Sequence, residues 1–294
     1  MRLLMLSLAL VASCGRISFA SVDGSHGDGG SNADGALADA AMLGTFGTKV
    51  LVDELNSGAN DEEPSFTEDR LDIVLRRGPQ IFEATRATTS SPWADIQPVV
   101  AIDGDGYEIN PALTADGLAL YFSTDISGTN DIWVVTRATR QSAWSAPVRV
   151  DDLDTNANET GSYVTPDGKH FVYESDMLGD NYDLYIAERT GLLTFGAAVP
   201  LEAVNSTADD GEGRLFDSGR GVVFSSSREG STRGSDIYIA TRPMPSGPFS
   251  NVRALDEINS LTDDFDPWIS EDGHVLMFSQ VGSSGSYDLF EVMR

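Results

Sequence analysis

Five times along the chain an unbroken apolar run follows a turn-forming pair: Ile73-Val74-Leu75, Leu118-Ala119-Leu120-Tyr121-Phe122, Phe171-Val172-Tyr173, Val222-Val223-Phe224 and Val275-Leu276-Met277-Phe278. Polar residues do not alternate with these positions, so strands built from them are covered on both faces, which excludes a two-layer sandwich with one wet side per sheet. The pairs ahead of the runs are Asp69-Arg70, Asp116-Gly117, Asp167-Gly168, Ser218-Gly219 and Asp272-Gly273, spaced by 47, 51, 51 and 54 residues. Asp-Gly supplies the positive φ of a tight turn, so the segment before each pair folds back on the run after it.

A third strand follows in every copy, as in Asp131-Ile132-Trp133-Val134-Val135 and Asp236-Ile237-Tyr238-Ile239, and an arginine closes each one: Arg86, Arg137, Arg189, Arg242 and Arg294. A fourth apolar segment, opened by Trp93, Trp144, Phe195 or Phe249, lies after each of the first four copies and is missing after the fifth. Residues 46–52, with Phe46, Val50, Leu51 and Val52, stand at the front instead. The expectation is an all-β chain: a five-bladed β-propeller of four-stranded blades, in which the N-terminal strand completes the last blade, closes the ring and leaves no exposed sheet edge.

Composition agrees with one folded domain over residues 45–294, since 40% of the 294 residues are hydrophobic, with 13 Phe, 8 Tyr and 4 Trp to fill a core. Charge narrows the partners. With 46 Asp and Glu against 19 Lys and Arg the net charge is −27, and the averaged field repels phosphate backbones and anionic lipid headgroups. Nucleic acid is not an expected partner; cations, basic protein surfaces and neutral glycans remain compatible.

The turn pair, then Phe122-Ser123, Phe224-Ser225 or Phe278-Ser279, then Asp-Ile-Tyr as at 236–238, resembles the WD-like propeller repeats of the TolB family over residues 46–294. The resemblance implies a propeller that binds other envelope components without catalysis. TolB itself pairs a six-bladed propeller with an N-terminal α/β domain that has no counterpart in this sequence.

The N-terminus carries an address. Arg2 precedes the apolar stretch 3–12, which is too short to cross a bilayer as a helix and reads as an export signal. Val11-Ala12-Ser13-Cys14 resembles the lipobox of bacterial lipoproteins, which implies removal of 1–13, lipidation of Cys14 and membrane contact through the anchor alone. Gly15, rather than Asp, after the Cys implies outer-membrane sorting. Residues 14–44, rich in Gly, Ser, Asp and Ala, read as a flexible tether that carries a monomeric propeller.

Two constellations could carry chemistry. Eight residues before each turn pair stands an acid, Asp61, Glu108, Glu159, Asp210 or Asp264, and thirteen before it an Asn or Asp, namely Asn56, Asp103, Asp154, Asn205 or Asn259. Equivalent positions in a propeller lie on a circle, so the acids are expected to stand as a pentagon where the inner strands begin. They either cap backbone N–H groups in the links between blades or hold a hard cation such as Ca²⁺. Four residues before the pair the chain places Ser65, Ala112, Tyr163, Arg214 and Trp268; the last three offer two aromatics and a cation on adjacent blades, a set suited to binding a ligand. No nucleophile, zinc spacing or phosphate loop is marked by a motif, so a non-enzyme is expected, with a carbohydrate hydrolase acting through channel carboxylates such as Glu108 and Glu159 as the alternative.

Overall fold

The computed structural model describes residues 44–102, 104, 106–179, 181–231 and 234–294. The expected signal segment, Cys14 and the tether up to residue 43 lie outside the described residues, as do Asp103 and Asp105. No helix among the described residues is long and apolar enough to cross a membrane.

Five sheets of four antiparallel strands follow the five repeats. The first blade is β2 (Asp61–Phe66), β3 (Asp72–Arg77), β4 (Gln80–Thr85) and β5 (Ala94–Pro98). The second is β6 (Ile109–Leu113), β7 (Ala119–Thr124), β8 (Asp131–Thr136) and β9 (Val148–Arg149). In the third, β10 (Glu159–Val164) and β11 (His170–Ser175) precede β12 (Asp183–Glu188) and β13 (Val199–Pro200). The fourth runs β14 (Asp210–Phe216), β15 (Gly221–Ser226), β16 (Asp236–Thr241) and β17 (Ser250–Ala254). The fifth holds β18 (Asp264–Ile269), β19 (Val275–Val281) and β20 (Tyr287–Met293). Its outer place is taken by β1 (Val50–Leu51), antiparallel to β20 with Val50 opposite Glu291. The inner strands β2, β6, β10, β14 and β18 touch in cyclic order, so the ring closes as expected.

The double covering read from the apolar runs is present: every residue of β7 and β15 is buried. The buried side chains of the blades divide into five clusters, one at each junction of adjacent blades, anchored by Tyr121, Phe278, Phe224, Leu75 and Phe122. Burying one such aromatic stabilises by about 2–3 kcal/mol, so the junctions, more than any single blade, hold the fold.

The turn pairs have the conformation their residues imply, with positive φ at Arg70, Gly117, Gly168, Gly219 and Gly273. The repeated arginines lock these turns to the next link. Arg86, Arg137 and Arg242 each donate Nε to a turn carbonyl while the guanidinium lies 4.2 Å from the ring of Trp93, Trp144 or Phe249. Arg294 does the same to Phe46 at 4.7 Å, which binds the closing segment to the chain end.

Candidate functional site: the axial shaft

Every inner strand is broken by a bulge at the same repeat position, between Glu62 and Ser65 in the first blade and at its equivalents in the other four. The bulged residue is Glu63, Asn110, Gly161, Glu212 or Asp266, all left-handed with φ between 49° and 63°. A bulge leaves a backbone N–H without a ladder partner and turns its side chain out of the strand. Here the side chains turn toward the axis, where all five residues line one narrow shaft.

The bulges satisfy one another around the ring. Glu63 N–H donates to Asp266 Oδ2 at 3.1 Å, and Asn110 N–H donates to Glu63 Oε2 at 2.6 Å. Glu212 N–H donates to Glu174 Oε2 at 2.8 Å, and the Glu212 carboxyl accepts from Asp266 N–H. Gly161 has no side chain to offer, and Glu174 of β11 fills its place: a Cβ on Gly161 would lie 2.8 Å from the Glu174 carboxyl. Thus four of the five junctions are tied by a carboxyl of one blade capping the bulge amide of the next.

Burial raises these acids above the usual carboxylate range. Glu212 is pushed up to about 8 by burial and then by Glu174; Asp266 is raised well above its ordinary value by burial and then by Glu212 and Glu63. Burial also raises Glu174 and Glu63, against the pull of Arg76 on the latter, and Glu62 reaches about 7. Arg76 is the cation of this end: it donates Nε to Glu63 Oε1 at 2.8 Å, pairs with Glu62 and reaches Tyr107 Oη at 2.8 Å.

Two residues further along, the shaft is plugged. Arg214 lies between two rings, its guanidinium carbon 4.3 Å from the Tyr163 centroid and 4.8 Å from that of Trp268. Tyr163 Oη donates to Leu215 O at 2.9 Å, which fixes the clamp. The three residues singled out from the sequence are therefore brought together, as one stack across the axis. Arg214 Nε and Trp268 Nε1 are buried without a hydrogen-bond partner, and burial lowers the Arg214 guanidinium to about 10. On the side of the bulges the free space is about 40 Å³. That holds a few waters or an ion, not a sugar ring.

Of the two readings of the expected pentagon, capping of link amides is the one its contacts display. Asp61, Glu108, Glu159, Asp210 and Asp264 form one set by repeat position; all five are at most 5% exposed, at or just before the start of the inner strands.

 Four of them close the loop before their own strand. Asp61, Asp210 and Asp264 accept the N–H of Ser57, Ser206 and Ser260 at 2.6, 2.5 and 2.5 Å, and Glu159 accepts Thr155 N–H at 3.3 Å. A residue of the second strand, or in the fourth blade one just after it, holds the other oxygen: Arg77 on Asp61, Arg228 on Asp210, Gln280 on Asp264 and Ser175 on Glu159. The Asn residues at the head of these loops act as amide mimics. Asn56, Asn205 and Asn259 each accept from and donate to the backbone of Leu289, Leu184 and Ile237 in the preceding blade.

Asp154 occupies that head position before the third blade, and a carboxylate cannot donate to the backbone. It instead faces Asp131 and Glu159, and these three are the one acidic set among the described residues whose oxygens lie within 4.8 Å of one another. Burial and the neighbouring Asp131 raise Asp154. The set fits a calcium ion poorly, because Arg149 already stands 3.2 Å from Asp154 and 3.5 Å from Asp131, while Ser127 and Thr129 donate to Asp131 and Thr155 donates to Glu159. Asp154→Asn should restore the amide pairing and raise stability by about 1 kcal/mol. A melting curve checks it, with millimolar Ca²⁺ expected to shift neither protein; a calcium-dependent rise confined to the native chain would restore the metal reading.

No family model matches the chain, and no curated protein matches it in sequence. Solved structures do match it in fold. TolB from Acinetobacter baumannii is 18% identical with a TM-score of 0.51, covering 82% of this chain and 56% of its own. An endo-arabinase from Bacteroides thetaiotaomicron is 12% identical with a TM-score of 0.59, covering 80% and 94%. A family 117 glycoside hydrolase from Zobellia galactanivorans, Zg3597, is 12% identical with a TM-score of 0.55, covering 85% and 90%. The fold is a TolB-like β-propeller. At these identities the likeness speaks for the fold alone, and the chain spans just over half of the Acinetobacter structure.

Proposed function

We propose that the chain is a non-catalytic binding module of the bacterial envelope, exported, anchored through Cys14 at the outer membrane, and presenting its propeller to a protein or glycan partner. The observation that carries this reading is the plugged shaft: Arg214, Tyr163 and Trp268 fill the axis, and the acids above them are engaged with backbone amides. A hydrolase needs carboxyl groups free to approach both sides of a scissile bond in a cleft that admits the sugar. Glu108 and Glu159, the pair named for that role, are buried, and Glu159 is held by Thr155 and Ser175.

The hydrolase reading keeps one observation in its favour. Glu212, raised to about 8, would stay protonated at neutral pH, as a general acid must. Incubating the full chain with a panel of polysaccharides and oligosaccharides separates the two. Retention without released product is expected; reducing sugar formed in proportion to protein, and lost in Glu212→Gln, would make it an enzyme. Incorporation of labelled palmitate into the native chain but not into Cys14→Ala tests the anchor.

A further inference from the structure

The propeller face formed by the turn pairs meets the axis in a small vestibule whose walls include Glu68, Ala115, Pro166, Arg214, Trp268 and Glu271. Arg214 is the floor. Its guanidinium makes two ring contacts but neither a hydrogen bond nor an ion pair among the described residues, and its Nε has no acceptor. Trp268, only 4% exposed, likewise leaves its Nε1 donor unused. A buried donor without an acceptor destabilises the fold, and here one belongs to the cation itself and another to the ring beside it. Folding alone does not call for this, since an apolar side chain of similar length would fill the same gap between the rings.

The rim has the opposite sign. Glu68 and Glu271 both interact electrostatically with Arg214 without forming an ion pair with it, and Glu271 spends one oxygen on Ser218 N–H at 2.5 Å. A ligand for this vestibule therefore needs an anionic tip for the floor and a cationic group just behind it for the rim. The space over this floor is small, about 10 Å³, which suits the end of a chain better than a ring. Beside it, sharing Pro166 and Glu271, a groove of about 630 Å³ runs between the third and fourth blades. Ile186, Val199, Leu215 and Pro245 give it apolar walls, with Lys169 and Glu188 among its charged groups. It has room for the residues that precede a chain end.

We propose that the turn-face mouth receives the C-terminus of a basic polypeptide: the terminal carboxylate binds Arg214 with Trp268 Nε1 as a further donor, a Lys or Arg side chain at the end meets Glu271 and Glu68, and the preceding apolar residues lie in the groove between the third and fourth blades. This rests on the binding-module reading and gives its partner a chemical class. Charge-assisted hydrogen bonds from a guanidinium to a carboxylate are among the strongest a site of this kind makes, and the aromatic clamp spares Arg214 the entropy of being ordered on binding.

The test uses the full chain and two acetylated pentapeptides of sequence Gly-Leu-Val-Leu-Lys, one with a free C-terminal carboxylate and one with a C-terminal amide, titrated by calorimetry. The free acid is expected to bind at least tenfold more tightly than the amide. Arg214→Gln should abolish that preference, and Trp268→Phe, which keeps the packing and removes the donor, should reduce it about threefold; melting curves confirm that both variants fold. Equal binding of acid and amide, or a preference that survives Arg214→Gln, overturns the carboxylate site while leaving a protein-binding module standing. Binding of neither peptide at millimolar concentration overturns the proposal too, and the polysaccharide panel then decides the broader reading by itself.

Discussion

A chain that begins at residue 54 should melt at least ~10 °C below the full chain and should associate through the bared edge of β20. Segment 44–53 contributes little surface in β1 itself, where Val50 and Leu51 are exposed. Its weight lies on either side. Phe46, 5% exposed, sits in the cluster between the fourth and fifth blades under the Arg294 guanidinium, and losing a buried aromatic costs about 3–5 kcal/mol. Gly47 N–H and Val52 N–H bond to Met293 and Leu289 carbonyls at 2.9 and 3.1 Å, and Lys49 Nζ reaches Ile258 O at 3.2 Å. For a domain of this size each kcal/mol moves the melting point by about 2–4 °C. Without the segment β20 becomes an open sheet edge, the feature by which strands recruit other chains. Melting and size-exclusion chromatography measure both effects. A shortened chain that stays monomeric and melts within 2 °C of the full one would refute closure by this segment, on the scale of about 2–4 °C per kcal/mol.

The second large effect is on pH. Glu212 is raised to about 8 and Glu62 to about 7, and Glu63, Glu174 and Asp266 are raised as well, with Arg76 the cation facing them. Acids whose folded values lie above their unfolded ones bind more protons in the native state, so their contribution is complete below the unfolded values, near 4.5 for Glu, and is lost as pH rises through 7 and 8. The lowered surface acids Asp69, Asp167 and Asp272 act oppositely, but only below their ordinary value of 3.8. Stability should therefore peak near pH ~5 and fall by a few kcal/mol toward pH ~9, a drop of roughly 10 °C in melting point. Glu212→Gln keeps the acceptor for Asp266 N–H and removes one titration, so it should raise the melting point above pH ~8 and flatten the slope. A slope unchanged in that variant would show that the shaft acids do not carry it.

The repeat, the blade count and the closure were legible because each is written several times in residues whose physics is local: a turn that needs positive φ, a run too apolar to face water, an arginine beside an aromatic. The Tyr163, Arg214 and Trp268 stack was legible for the same reason in reverse, as the place where copies disagree. The shaft acids were not. Reading acids at one repeat position led to Asp61, Glu108, Glu159, Asp210 and Asp264, whereas the residues on the axis stand two places later, because a bulge in each inner strand shifts which side chain turns inward.

A signal for that shift exists. Asn110, Gly161 and Asp266 are residues that tolerate left-handed backbone, and they share one repeat position with Glu63 and Glu212. A second lies in the Phe-Ser motif. Ser123, Ser225 and Ser279 occupy a register position filled by Arg76 in the first blade and Glu174 in the third, and those two exceptions are the ones that complete the ring. Neither shows until the bulge assigns Glu174 to the gap that Gly161 leaves, a contact across strands that spacing alone does not encode.

The hand-over of carboxyl to amide also runs one way round. The first, fourth and fifth blades each receive a cap from the predecessor and give one to the successor, while the second only receives and the third, through Glu174, only gives. Removing or duplicating a blade would bring together a donor and an acceptor that were never neighbours: joining the third blade directly to the fifth, for instance, would set Glu174 against the amide of Asp266, which Glu212 now serves. Blade order in this protein is thus written into side-chain chemistry as well as into strand packing, and an engineered six-bladed version would need matched caps at its new junctions to keep that pattern.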